Sequence, residues 1–268
     1  MIKTLMYNRT GVLLRPTKKP LVVSRLRKRL EELRLSDFTG YIKLLENPKG
    51  AEFEIFVNAI TTNETYFFRH TKQFNFLFEH ILPAVMERKK SERHEVRIWS
   101  AACSTGEEPY SIAIACREFF KKYPDWQYKI FASDVNSDVL AGAAEARFPE
   151  KSMREVPESL KNKYFKPVKP ETGKAPRLEY ALDSAVKKDV EFLRHNLLKP
   201  FAKRDLDIVF LRNVMIYFNR ETKQKVVHLL QENIAWGGFL FVSLAESLSD
   251  IPSSLKFIET GIYQKSLE

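Results

Sequence analysis

Trp99-Ser100-Ala101-Ala102-Cys103-Ser104-Thr105-Gly106-Glu107-Glu108-Pro109-Tyr110-Ser111 reads as the end of a strand, a turn of small residues and the first turn of a helix. Val96-Arg97-Ile98 supplies the strand upstream, and an apolar-periodic segment over 110–120 continues the helix downstream. Pro109 falls in the first helical turn, where its missing N–H forfeits no bond. In an open α/β sheet the end of such a first strand is where nucleotide-like ligands lie. The loop holds one glycine, so it matches neither G-x-G-x-x-G nor G-x-x-x-x-G-K-[ST], which argues against phosphate cradling. Glu107 and Glu108 would also repel a pyrophosphate at a helix N-terminus. They suit a cationic ligand; S-adenosylmethionine carries a sulfonium and an ammonium and no phosphate. The alternative is that the two acids only complement the helix dipole.

Outward from this loop, the pattern predicts strands at 95–101, 128–133, 190–193, 206–212 and 238–244, with helices near 107–122, 136–146 and 220–235 between them. Such alternation predicts a mostly parallel sheet covered on both faces, a Rossmann-like α/β domain. Segments 256–259 and 261–265 read as a terminal hairpin bent at Thr260-Gly261. The stretch 150–192 breaks the alternation, and Tyr164-Phe165-Lys166-Pro167-Val168 followed by turn residues and Arg177-Leu178-Glu179-Tyr180-Ala181-Leu182 predicts a small antiparallel β-subdomain at about 160–192. Residues 1–62 read as a small helical unit: a Pro/Lys-rich lead-in, a basic helix, then helices at 37–45 and 53–60 around an Asn47-Pro48-Lys49-Gly50 turn. An aromatic-rich helix is expected over 72–86, with Pro83 kinking or ending it. The expected division is an all-α domain over 1–70 and the α/β domain over 71–268.

With 268 residues the chain can bury a sizeable core. It has no run of about 18 apolar residues and no apolar signal-like start, so a cytoplasmic location is expected. Cys103 and Cys116 stand too far apart for a paired metal motif, and no metal is expected. The net charge of +10 is uneven: residues 1–62 hold twelve Lys and Arg against six Asp and Glu. The excess centres on Arg25-Leu26-Arg27-Lys28-Arg29-Leu30-Glu31-Glu32-Leu33-Arg34, where Leu26, Leu30 and Leu33 recur at helical spacing and the bases take the other faces. This face either meets an acidic partner or is simply solvated.

Asp134 ends the second predicted strand, where a carboxylate can accept both hydroxyls of a ribose or else cap the following helix. Arg212-Asn213-Val214-Met215-Ile216-Tyr217-Phe218 follows a buried-type strand at the level where ligands are met. Tyr217 either points a phenol into the pocket or is an ordinary aromatic of the strand–helix junction. Asn196-Leu197 occupies a similar position after Glu191-Phe192-Leu193.

Together with Thr61-Thr62-Asn63-Glu64-Thr65-Tyr66-Phe67-Phe68-Arg69, the 99–111 loop, Phe131-Ala132-Ser133-Asp134 and the 212–218 block resemble the signature blocks of the chemotaxis receptor glutamate methyltransferases, the CheR-type family. The blocks span nearly the whole chain in the same order. The resemblance implies a helical N-terminal domain followed by an S-adenosylmethionine-dependent methyltransferase domain with an inserted β-subdomain. It implies methylation of glutamate side chains on the cytoplasmic helices of chemoreceptors, with S-adenosylhomocysteine as product. Carried over by position, Asn63, Thr65, Arg69, Ala102, Glu107, Glu108, Asp134, Asn196, Leu197, Arg212 and Asn213 would bind the cofactor. Arg69 and Tyr217 would flank the reacting groups. The basic helix, through Arg25, Arg27, Lys28, Arg29 and Arg34, would then dock the acidic methylation region of a receptor. A nucleic-acid methyltransferase would also use a positive charge, but the chain has neither an Asn-Pro-Pro-aromatic run nor a Pro-Cys nucleophile. A cofactor-binding sensor module would be expected to lose Arg69 or Tyr217, and both are present.

Overall fold

The computed structural model describes residues 1–47, 51–60, 64–91, 93–169 and 178–266. Four helices open the chain: α1 (Ile2–Thr10), α2 (Lys19–Glu32), α3 (Phe38–Glu46) and α4 (Glu52–Ile60). Their apolar faces converge on Met6, Leu26, Leu30, Tyr41, Leu45 and Phe56. Asp37 caps α3 by accepting from the backbone N–H groups of Thr39 and Gly40. The Arg29 guanidinium forks onto Glu52 at 2.9 and 2.7 Å and ties α2 to α4. Residues 2–10 are a helix where the sequence reading has only a lead-in; just Met6 and Thr10 of it are buried, too sparse a stripe to read as a period. Gly11, at φ 75°, ends it in the left-handed region, and a Cβ there would stand 2.7 Å from Thr222. The end of α1 is thereby pressed onto the second half of the molecule.

That half begins with α5 (Thr71–Phe76), a π-helical turn over Leu77–Ile81, and α6 (Leu82–Arg88). Pro83 lies in the first turn of α6, so the expected break is a π turn that restarts the helix where proline is tolerated. There follow β1 (Glu95–Ala101), α7 (Glu107–Phe120), β2 (Gln127–Asp134), α8 (Ser137–Glu145), β3 (Arg147–Pro149), α9 (Glu158–Tyr164), β4 (Phe165–Val168), β5 (Glu179–Leu182), α10 (Ser184–Lys187), β6 (Val190–Arg194), β7 (Leu206–Leu211), α11 (Arg220–Asn233), β8 (Ile234–Val242), β9 (Leu255–Glu259) and β10 (Ile262–Lys265). The main sheet runs in the order β6-β2-β1-β7-β8-β10-β9. Its first five strands are parallel, and β10 pairs antiparallel with both β8 and β9. All six residues of β7 are buried, as a central parallel strand requires. Helices cover both faces: Ile112 and Cys116 of α7 pack on one, Val226 and Leu230 of α11 on the other. Phe67 and Phe68 pack in the core of this α/β unit, not with α1–α4.

Two expected boundaries change. The small antiparallel sheet, β3-β5-β4, starts at Arg147 rather than near 160 and ends at Leu182 rather than 192, while Val190–Arg194 pairs parallel with β2 in the main sheet, as the expected 190–193 strand does. β3 is only three residues long and ends in Pro149, which hides it from a period-two search. The last parallel strand begins at Ile234, because Asn233 ends α11 and Ile234 is already extended.

Glu118, on α7, fastens the small sheet's flanking helix to the main body: Lys163 donates to it at 2.8 Å, the Tyr164 hydroxyl also donates, and Lys121 donates at 2.6 Å from one turn away. Burial disfavours the charge, but these donors outweigh it and hold the carboxyl at about 2. A depressed carboxyl stabilises the fold fully above the ordinary carboxylate range, and that contribution is lost as pH falls toward 2. Glu118→Gln is expected to lower stability by about 1 kcal/mol at pH 7. Urea melts of both proteins at pH 7 and pH 3 check this; the gap should narrow in acid.

Candidate active site

β1 has β2 on one side and β7 on the other, so the chain order reverses beside it. Ligands of open α/β sheets lie outside the carboxyl ends of the strands at such a point. A cleft open to solvent occupies that position. Its floor is the loops after β1, β2, β6 and β7, its side the 64–69 segment, and its roof Leu14, Leu21 and Val22 of the helical domain.

The loops around it carry left-handed backbone at residues that are not glycine: Ala102 at φ 61°, Ser104 at φ 51°, Asn213 at φ 60°, Phe68 at φ 54° and His70 at φ 63°. Each such residue costs on the order of 1 kcal/mol and persists where surrounding structure holds it, typically at ligand sites.

Glu108 reaches the cleft from the first turn of α7. It accepts from the Ser100 hydroxyl at 2.7 Å and from Arg212 at 3.0 Å. Arg212 is buried and also donates to the backbone carbonyl of Arg69. Burial pushes its guanidinium below its ordinary value, and the Glu108 carboxylate opposes that. This pair thus locks β7, α7 and the Arg69 segment into one unit. Arg69 itself donates to the Glu64 carbonyl at 2.8 Å and lines the cleft with Thr65. His70 beside it is pushed down to about 4 by burial and by Arg212 and Arg69, so it stays neutral near pH 7.

Asp134 also lines the cleft. It accepts from the backbone N–H of Ser104 at 2.9 Å and of Asn136 at 3.0 Å. The helix-capping alternative does not hold for it: Asn136 is the cap of α8, accepting from Asp138 and Val139. Burial pushes the Asp134 carboxyl up despite those backbone donors. Ala102, Leu197 and Tyr217 line the cleft as well, and the Tyr217 hydroxyl has no hydrogen-bond partner among the described residues.

Asn196 and Asn213 line it with their amides turned to neighbours. Asn196 donates to the Arg9 carbonyl at 2.7 Å, at the end of α1, and Asn213 donates to Ser243 at 2.9 Å. Glu107 goes elsewhere. It is 3% exposed, accepts from Thr105 and Ser152, and is pushed up by burial, so it holds the loop from behind and does not line the cleft. Asn63 lies outside the described residues.

The sequence reading leaves out Ser104, His195 and Glu246. The first two line the cleft. Glu246 is buried and accepts from the backbone N–H groups of Asn213, Ser243 and Ile216, which sets the loop after β7. His195 was within reach of sequence reasoning, since it directly precedes Asn196 at the same strand end. Glu246 follows an isolated strand end with no motif around it.

Four buried polar atoms of cleft residues, Nε of Arg69 and of Arg212, Oγ of Ser104 and Nε2 of His195, make no hydrogen bond among the described residues. Buried polar groups are normally paired, so this set marks a cleft shaped around a polar ligand. The family model described as CheR methyltransferase, SAM binding domain, matches residues 63–263, and the one described as CheR methyltransferase, all-alpha domain, matches residues 1–61. The chain belongs to the CheR methyltransferase family.

Relatives agree along the full length. The chain is 34% identical to the chemotaxis protein methyltransferase of Borreliella burgdorferi, with 98% of this chain and 92% of that protein covered. It is 36% identical to chemotaxis protein methyltransferase 2 of Pseudomonas aeruginosa (98% and 90% covered). It is 35% identical to the chemotaxis protein methyltransferase of Escherichia coli (93% and 84% covered). As a CheR methyltransferase the protein is an S-adenosylmethionine-dependent enzyme, and the cleft suits that cofactor's mixed charge. Asp134 and Glu108 offer carboxylates to hydroxyls and cationic groups, Arg69 and Arg212 offer donors to a carboxylate, and the apolar roof suits a purine. Among the described residues no helix is long and apolar enough to cross a membrane.

Proposed function

We propose that this CheR methyltransferase transfers the methyl group of S-adenosylmethionine to glutamate side chains on the cytoplasmic helices of chemoreceptors, forming glutamate 5-O-methyl esters in chemotactic adaptation. The observation that carries this reading is the composition of the cleft beside the cofactor-binding loops. An arginine with a buried Nε and a tyrosine with a hydroxyl, both unpartnered among the described residues, line it, while His195, pushed down by burial, has its ring against Trp99 and Phe201.

A carboxylate is the acceptor such a site suits. It is ionised near pH 7 and needs no proton removed, only alignment and desolvation. S-adenosylmethionine supplies a methyl on a positively charged sulfur; the acceptor oxygen bonds to that carbon as the C–S pair returns to sulfur, leaving S-adenosylhomocysteine. Arg69 orients the acceptor carboxylate by a charge-assisted hydrogen bond, and Tyr217 holds its second oxygen. Arg69 is held partly engaged by the Glu64 carbonyl, which keeps it a positioning donor rather than a charge that would over-stabilise the nucleophile. The roof of Leu14, Leu21 and Val22 excludes water, which favours a transition state less charged than its ion-pair reactants.

The receptor's acidic methylation region is the partner proposed for the basic helix. Arg25 donates to the Ala59 and Ile60 carbonyls and Arg29 is bound to Glu52, so those two hold the helical domain together and the contact falls to the exposed Arg27, Lys28 and Arg34. Reversing Arg27 and Lys28 to Glu is expected to slow association with receptor-containing membranes by about tenfold at low salt and to flatten its salt dependence, read by stopped-flow or surface binding. The reaction itself is tested by incubating the protein with a receptor cytoplasmic fragment and mapping the product by mass spectrometry. Methylation on glutamate side chains is expected; methylation on lysine, arginine or a nucleic acid would overturn the assignment.

A further inference from the structure

Three large apolar side chains stand exposed around Tyr217: Leu13 at 45%, Ile216 at 44% and Leu244 at 42%. They belong to three separate segments that are pinned to one another. The Leu13 N–H donates to the Tyr217 carbonyl at 2.8 Å, and Ile216 is the residue before Tyr217. Glu246 joins the remaining segment, since it accepts from the N–H groups of Ile216 and of Ser243, the neighbour of Leu244. The three segments are therefore held in fixed relation to one another beside Tyr217, and Leu13 and Tyr217 also line the cleft. Immediately after Leu13 and Leu14 come Arg15, Lys18 and Lys19, all exposed and with no ion pair among the described residues; Lys18 itself lines the cleft. An apolar rim thus adjoins a cationic strip, and both are continuous with the site that holds Arg69 and Tyr217.

We propose that Leu13, Ile216 and Leu244 form the seat for the target helix of the protein substrate, an acidic amphipathic helix whose apolar side chains settle on this rim while its carboxylates face Arg15, Lys18 and Lys19. The inference rests on the glutamate-methylating reading above and goes further by assigning which surface selects the target. On a helix, residues three and four positions from the target glutamate share its face. With that glutamate directed at Tyr217, those neighbours fall on the rim, so the enzyme selects glutamates flanked one turn away by apolar residues and disfavours those flanked by charge. This surface adjoins the N-terminus of α2 but is separate from the Arg27, Lys28 and Arg34 face: that face attracts the receptor at long range, and the rim fixes which glutamate enters.

The test is the double variant Ile216→Ser, Leu244→Ser, which changes two exposed side chains that do not line the cleft, beside Ile216→Val, Leu244→Met as the conservative control. Steady-state methylation of a receptor cytoplasmic fragment and S-adenosylhomocysteine affinity are measured for each. The expected result is a KM for the fragment raised about tenfold or more, kcat and product affinity within twofold of wild type, and near-wild-type KM in the conservative control. An unchanged KM in the serine variant overturns the proposal, as does a loss confined to kcat. A wild type that self-associates in sedimentation, made monomeric by the serine pair, also overturns it by assigning the rim to a second copy of the chain. If the wild type leaves the receptor fragment unmethylated, the functional reading itself fails; activity in the wild type with an indifferent variant strikes the rim alone.

Discussion

Arg69→Ala is expected to lose on the order of a hundredfold or more in kcat for receptor methylation while binding S-adenosylhomocysteine within about tenfold of wild type. The asymmetry follows from how the residue is built in. Its backbone carbonyl, which receives the buried Arg212, survives the substitution, so the lock between β7, α7 and the 64–69 segment remains. What disappears is the guanidinium, whose Nε has no partner among the described residues and whose Nη1 is steadied on Glu64. A donor held ready in this way acts on the acceptor carboxylate, and its loss is a loss of alignment in the transition state. Single-turnover methylation paired with calorimetric titration of S-adenosylhomocysteine separates the two quantities. Near-normal transfer, or product affinity lost in step with kcat, would remove Arg69 from the reacting end.

Asp134→Ala carries the second large effect, on the cofactor. Two hydroxyl donors onto an ionised acceptor are each worth about 1.5–3 kcal/mol, so the dissociation constant for S-adenosylhomocysteine is expected to rise about a hundredfold or more. Part of that comes from the loop, because the same carboxylate receives the N–H groups of Ser104 and Asn136. Asp134→Asn keeps an acceptor oxygen in place of the charge and should fall between the two. The pH profile gives a sharper signature. Burial raises the Asp134 carboxyl and hydroxyl donors favour its ionised form, so wild-type affinity should fall as pH is lowered, starting above the range where an ordinary aspartate titrates. In Asp134→Asn that decline should vanish. Titrations from pH 8 downward decide it, and an identical profile in the two proteins would detach Asp134 from the ribose.

Much of this architecture was legible from local chemistry. Pro109 in a first helical turn and the mostly apolar run that became β7, broken only by Asp207, are signals carried by a few adjacent residues, and both fell where expected. What stayed hidden was set by contacts far along the chain. α1 has little apolar stripe of its own and is held by its far end, through Arg9 to Asn196 and Tyr7 to Asn219. Those bonds hold α1 against the cleft, which its Met6 and Thr10 line, and no spacing in residues 1–15 announces them. Glu246, three backbone bonds deep, looks in sequence like any acid after a strand. The Glu107-Glu108 pair is the instructive case. Adjacent helical residues point about 100° apart, so only one of them could face a ligand. Helix geometry required that split, but which acid turned inward was set by Ser152, 45 residues away, whose hydroxyl donates to Glu107 on the far side.

The central claim, that this CheR methyltransferase makes carboxyl methyl esters, is tested most directly by incubating it with methyl-tritiated S-adenosylmethionine and receptor-containing membranes, then treating the labelled protein with alkali. Side-chain esters hydrolyse, so the label is predicted to leave as volatile methanol, and to be missing from the start with Arg69→Ala. Label that stays on the protein or on nucleic acid through alkali would contradict it.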